Sequence, residues 1–130
     1  MNTVRPAANE AAPQLLFVDA DIVARSVVAN YLRECGYAVV EATSTDEARA
    51  LLTRPDIDID IVFADVDAPG DVDGFGLARW TAGHFPHVRV ILCATLERET
   101  KIAAELCAEG PLLRKPYDQA TLLDQIKRLR

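Results

Sequence analysis

The stretch Ile61-Val62-Phe63-Ala64-Asp65, running on into Val66-Asp67-Ala68-Pro69-Gly70, decides the fold. Four apolar residues in a row that stop on an acid read as a strand buried on both faces. A strand with one wet face would alternate instead. Burial on both faces belongs to parallel sheets covered by helices. A buried carboxylate without a partner is costly, so Asp65 calls for a chemical reason. In open α/β sheets ligands bind outside the carboxyl ends of the strands, which is where Asp65 stands.

Working outward, the same signal recurs. Leu15-Leu16-Phe17-Val18 is apolar and halts at Asp19. From Ile22 the period changes to a helical one, with Val23, Val27, Val28, Tyr31 and Leu32 on one expected inward face, Asp21 as N-cap, and Cys35-Gly36 as the stop. A second strand is expected over 37–40. Ser44-Thr45-Asp46-Glu47 fits a capping box for a short helix that ends at Arg54-Pro55. After the central strand, a third helix is expected over 75–84, a fourth strand over 88–93 and a fourth helix over 97–108. Leu112-Leu113-Arg114 makes a brief fifth strand, and Asp118 caps a last helix facing inward with Leu122, Leu123, Ile126 and Leu129. Alternating strands and helices imply an α/β fold with a parallel sheet covered on both faces. Right-handed crossovers favour the flavodoxin-like, doubly wound (βα)5 arrangement with strand order 2-1-3-4-5.

Composition sets the outer limits. The chain has 130 residues, half of them hydrophobic and 26% charged, enough for one domain with a real core. Residues 1–13, rich in Ala, Asn and Pro, are expected to be a flexible tail, leaving 14–130 as the domain. A net charge of −6 argues against nucleic-acid binding. No apolar run approaches the ~18 residues of a membrane span, and the thiol pattern sets the expectation of a cytoplasmic location. Cys35, Cys93 and Cys107 are scattered, without a C-x-x-C, and read as reduced core thiols. Asp56, Asp58 and Asp60 read as a solvated approach to the central strand, since a calcium loop would need a glycine turn and a distal Glu. His84 and His87 are read as helix-end residues and Trp80 as packing, none of them metal or ligand sites.

With that strand order Asp19 and Asp65 end on neighbouring strands. Two close carboxylates repel unless protonated or bridged by a cation. Hard oxygen ligands with open positions suit Mg²⁺, which also accepts phosphate oxygens. Lys115, after the fifth strand at the same edge, can reach in as a point charge for an anion. Together these describe a phosphoryl-accepting site with a nucleophilic Asp65. The bland reading is a structural acid at Asp65, satisfied by backbone amides, with Lys115 as no more than its salt-bridge partner.

These residues resemble those of a response-regulator receiver domain of two-component signalling. The resemblance covers 15–129 and rests on Leu15-Leu16-Phe17-Val18-Asp19 with Arg25, on the Asp65 strand with Pro69 and Asp73-Gly74, and on Lys115-Pro116-Tyr117. It implies that Asp65 is the phosphoacceptor, a phosphoprotein site, charged by a histidine kinase or phosphotransfer protein. It implies Mg²⁺ held by Asp19, Asp65 and the Asp67 backbone carbonyl, and Lys115 on the phosphoryl group. It implies output to a downstream protein, or a homodimer, through the face formed by the fourth helix, fifth strand and last helix, around Leu112 and Tyr117. Such a protein is not an enzyme beyond its own phosphorylation and dephosphorylation.

Four departures qualify the resemblance. The second acid that normally follows the first strand is Ala20, which should weaken Mg²⁺; Asp21, one residue later, is split between metal contact and helix capping. The Thr or Ser that normally ends the fourth strand aligns with Ala94, so the candidate phosphate contact there is Thr95 or the Ala94 backbone. The switch aromatic of the fifth strand is replaced by Leu112, and the loop 65–74 is one residue longer than usual. A degenerate receiver that binds a partner without phosphorylation is therefore the main alternative. A phosphatase using Asp65-Val66-Asp67 as its D-x-D motif is more remote, because that motif normally follows the first strand. With one residue after Leu129, the sequence is either a stand-alone receiver or part of a longer protein.

Overall fold

In β1 (Gln14–Val18) and β3 (Ile61–Asp65) successive side chains enter two different cores. Leu15, Phe17, Ile61 and Phe63 lie on one face, and Leu16, Val18, Val62 and Ala64 on the other, all buried. That alternation follows from the pleat, and two apolar faces demand a layer of helices on each side. The computed structural model describes residues 13–95, 112–115 and 117–129. The expected tail through residue 12, the helix at 97–108, Cys107 and Pro116 lie outside the described residues, as do the side chains of Thr95 and Leu112.

The first face is covered by α1 (Ile22–Glu34), through Ala29 and Leu32, and by the C-terminal helix (Gln119–Arg128), through Leu122 and Ile126. The second face is covered by α2 (Thr45–Leu52), through Ala48 and Leu52, and α3 (Gly74–His84), through Leu77 and Ala78. With β2 (Ala38–Ala42), β4 (Arg89–Thr95) and β5 (Leu112–Lys115), five parallel strands run in the order β2-β1-β3-β4-β5. The expected flavodoxin-like order is the observed one. At the centre Phe17 sits in register with Phe63, their rings stacked at 5.4 Å. Truncating either fully packed ring should cost about 3–5 kcal/mol.

Each described helix starts on an aspartate or serine whose side chain accepts the amide three residues on: Asp21 from Ala24, Ser44 from Glu47, Asp73 from Gly76 and Asp118 from Thr121. Such caps satisfy amides that the helix cannot, each worth ~1 kcal/mol. His84 accepts the opposite role at the end of α3, its Nδ1 lying 2.9 Å from the Trp80 carbonyl, and Trp80 packs against the core.

The inward face of α1 differs from the expected one. Val23 and Val27 are 75% and 54% exposed, and Ile22 is 61% exposed. The buried stripe is Arg25, Ala29 and Leu32, with Val28 and Tyr31 packed at its edge. At 100° per residue, Val23 and Val27 lie about 160° round the helix from Arg25. A buried arginine, invisible to a count of apolar residues, rotates the helix. Two strand ends also shift: β4 continues through Ala94 and Thr95, and β5 includes Lys115, so these are strand residues rather than loop. Cys93 is buried as expected, but Cys35, at the C-cap of α1, is exposed rather than a core thiol.

Candidate functional site

Asp65 and Lys115 end β3 and β5 on the same alternation as Phe63 and Leu113, so both side chains belong to the face covered by α1 and the C-terminal helix. Asp19 stands one residue past β1 on the neighbouring strand. The Lys115 ammonium joins the two acids: its Nζ donates to Asp65 Oδ2, and to Asp19 Oδ2 at 3.3 Å. The other oxygen of each acid is held by an amide two residues on. Asp19 Oδ1 accepts from Asp21 N at 2.9 Å, and Asp65 Oδ1 from Asp67 N at 2.8 Å. These local turns are what short acids do at chain reversals. They aim the second oxygen of both acids at one place.

The surrounding chain keeps that aim. Asp19 N donates to Ala42 O at 3.0 Å, and Arg25 donates to Asp19 O at 2.7 Å. Beyond Asp65, Ala68 N returns to Asp65 O and Val66 N bonds Cys93 O, both at 3.0 Å. Gly74, the first residue of α3, packs on the Asp65 carbonyl so closely that a Cβ there would lie 2.3 Å from its oxygen. The loop between them is tied to α2 by the buried Thr45, whose Oγ1 donates to Val72 O at 2.6 Å and whose amide donates to Pro69 O at 2.8 Å.

Burial by itself would lower the Lys115 ammonium, but Asp65 and then Asp19 outweigh it and hold it above its ordinary value. It is therefore a fixed positive charge at neutral pH. Beside it, Cys93 is in register with Asp65; burial pushes its thiol up to about 12, so it is an inert thiol rather than a nucleophile. Tyr117 packs against the same core, and burial, reinforced by Cys93, Asp19 and Asp65, raises its phenol far above the usual range.

The other candidate residues divide. Ala20 is exposed and carries no donor. Asp21 is occupied as the N-cap, its Oδ1 accepting from Ala24 N at 3.1 Å. The Asp67 side chain is exposed, and its amide already serves Asp65. Ala94 is buried in the core of the opposite face, against α2 and α3. Thr95 is in register with Lys115, and Leu112 with Leu92. Asp56 is paired with Arg54, and Asp60 accepts from Gln14 N, so the acidic series is used structurally. What the residue pattern did not reveal is the support behind Asp19. Arg25 is 8% exposed and pairs with Glu41 at 2.9 Å; Arg33 adds a second contact to Glu41 at 3.1 Å. The visible trace is the spacing of Arg25 from Ala29 and Leu32, which is that of an inward residue.

The two carboxylates could hold a hard divalent cation. Among the described residues no three His, Cys, Asp or Glu side chains form a cage. Main-chain oxygen and water would have to complete the shell, which fits Mg²⁺, an ion that keeps several waters.

A sequence profile of the response regulator receiver domain matches residues 15–127. The chain belongs to the response regulator receiver family. Solved receivers superpose on it. The chemotaxis response regulator CheY4 of Vibrio cholerae is 26% identical, with a TM-score of 0.80, over 92% of this chain and 100% of that one. The receiver domain of NtrX from Brucella abortus is 22% identical, with a TM-score of 0.78, over 89% and 97%. A longer NtrX structure, in complex with ATP, matches at 22% identity and a TM-score of 0.80, and the receiver spans 27% of that chain. No curated protein matches the sequence significantly.

Proposed function

We propose that this receiver takes a phosphoryl group onto Asp65 from a histidine kinase or phosphotransfer protein and signals to a protein partner in the cytoplasm. The observation that carries the reading is the Lys115 ammonium shared by the Asp65 and Asp19 carboxylates, with both acids oriented by backbone amides. In the reaction an Asp65 oxygen forms a bond to phosphorus as the phosphorus–nitrogen bond of the donor phosphohistidine breaks. The electron pair stays on the donor imidazole, which takes a proton. Lys115 faces the negative oxygens of the transferred group, where a fixed cation stabilises developing charge. Mg²⁺, held by Asp19, Asp65 and the Asp67 carbonyl, would add charge neutralisation of the same kind. The exposed apolar residues Ile22, Val23 and Val27 of α1 offer the donor a docking edge near Asp19. Among the described residues no helix is long and apolar enough to cross a membrane. Output runs through the face of residues 97–108, β5 and the C-terminal helix, near Leu112 and Tyr117, to a target protein or a second copy. On this reading the receiver is not an enzyme beyond making and hydrolysing its own acyl phosphate.

A second reading has its own support. Ala20 is exposed and offers no oxygen where a second metal-binding acid is usual in the family, which favours a receiver whose partner binding ignores phosphate. Incubation with a small phosphodonor and Mg²⁺, read by intact mass, separates the two. An adduct on the native protein and none on Asp65→Asn supports phosphoacceptance. No adduct and no beryllofluoride binding at millimolar Mg²⁺ supports the phosphate-independent module.

A further inference from the structure

Asp19 stands just beyond the β1 ladder, and with Ala20 beside it, it is the acid that the β1 end contributes to the site. Its carbonyl is held by a side chain. The Arg25 guanidinium donates through Nη1 to Asp19 O at 2.7 Å, and through Nε to Glu41 Oε1 at 2.9 Å. Arg25 and Asp19 are the two charged residues buried below a tenth of their surface among the described residues, at 8% and 9%. Burying an unpaired guanidinium is costly, and the Glu41 contact offsets that cost. Glu41 is itself braced by Arg33 Nη1 at 3.1 Å, with Ser26 Oγ at 3.5 Å, and Arg33 reaches on to Val39 O at 2.7 Å. A rigid fork, fixed to β2 through Glu41, thus grips the backbone from which the Asp19 carboxylate hangs. A lysine has no such two-pronged geometry.

We propose that Arg25 is a positioning residue, locked by Glu41, that sets the direction of the Asp19 carboxylate toward the cation and phosphoryl site. This rests on the phosphoacceptor reading above. Because Ala20 supplies no second carboxylate, a misdirected Asp19 has no substitute. Groups that orient a metal ligand typically control 10–100-fold in affinity.

Two readouts test it: Mg²⁺ affinity by calorimetry, and hydrogen exchange of the Asp21 amide, whose bond to Asp19 Oδ1 reports the carboxylate's orientation without metal or phosphate. Arg25→Met should weaken Mg²⁺ about tenfold or more and speed Asp21 exchange comparably. Arg33→Met removes a Glu41 contact of similar kind without touching Asp19. Acting on Asp19 only through Glu41, it should lower the melting temperature and move both readouts clearly less than Arg25→Met does. Folded Arg25→Met protein with both readouts at native values overturns the proposal. So does Arg33→Met reproducing the Arg25 effects. If Arg25→Met fails to fold, Arg25→Lys is read the same way, since it keeps the charge near Glu41 but loses the fork. If the native protein binds no Mg²⁺ and takes no phosphate, the phosphoacceptor reading fails, and Asp21 exchange still decides the role of Arg25.

Discussion

On the phosphoacceptor reading, replacing Ala20 with aspartate should add a carboxylate ligand for Mg²⁺ at the β1 end. Ala20 is exposed and lies between Asp19, aimed at Lys115, and Asp21, committed to the cap of α1. The substitution meets no packing obstacle, so its effect is electrostatic. A unit charge pair at about 4 Å is worth about 1 kcal/mol in bulk water. The ion carries two charges, which gives about 2 kcal/mol at this wet edge. Repulsion from Asp19 and salt screening take back part of that, leaving about 1.4 kcal/mol, or a tenfold tighter Mg²⁺ constant by calorimetry. Without metal the third acid faces a single ammonium, so the metal-free protein should melt a few degrees lower. Mg²⁺ should recover that loss by mass action. Asp21→Ala is the control: it should cost ~1 kcal/mol of stability as a lost cap while leaving Mg²⁺ affinity within about twofold. Unchanged affinity in Ala20→Asp would refute the reasoning. An affinity loss in Asp21→Ala equal to that of a true ligand would show that Asp21 leaves the cap to serve the metal.

Lys115→Met should leave the buried Asp19 and the partly exposed Asp65 facing each other and cost about 1–2 kcal/mol in urea unfolding, discounted from a fully buried pair because the site is partly wet; a Mg²⁺-dependent recovery should exceed that of the native protein, and no stability change would mean the pair is not coupled. Gly70→Ala should cost about 2–4 kcal/mol, because Gly70 has φ of +139° and a Cβ there would lie 2.2 Å from Thr45 Oγ1; a near-neutral result would show that the loop is not latched to α2. Glu41 makes stability pH-dependent. Burial would raise its carboxyl, but Arg25 and Arg33 together hold it below the ordinary value. A depressed carboxylate contributes stability that is present above its unfolded pKa and is lost as pH falls through the folded one. Melting curves on the acid side of the ordinary glutamate range should therefore fall more steeply for the native protein than for Glu41→Gln, and parallel curves would count against the pairing.

Much of this receiver was legible in one dimension. Short apolar runs that end on Asp19 and Asp65, alternating with helical periods, read as strands buried twice, so the parallel order and the meeting of those acids followed from topology. Lys115 and the capping roles of Ser44 and Asp118 were equally readable, because they depend on local chemistry. The choice between cap and metal ligand at Asp21 was not. It depended on where the amide of Ala24 points once α1 is docked.

The buried side of α1 departs from its apolar pattern at Val23 and Val27 for a related reason. Apolar counting favours Val23 and Val27, yet the docked helix turns Arg25 inward because Asp19 O and Glu41 lie there to receive it. A charge is expected outside unless its partners are known, and those partners come from β1 and β2, distant in sequence until the sheet forms. The sequence by itself determined the sheet, its order and the identity of the acids at its edge, since hydrophobic period and strand ends are local properties. Only the tertiary structure decided how the acids are aimed, because the groups that aim them, Arg25, Glu41 and Lys115, act through contacts that exist only after the strands and helices have packed.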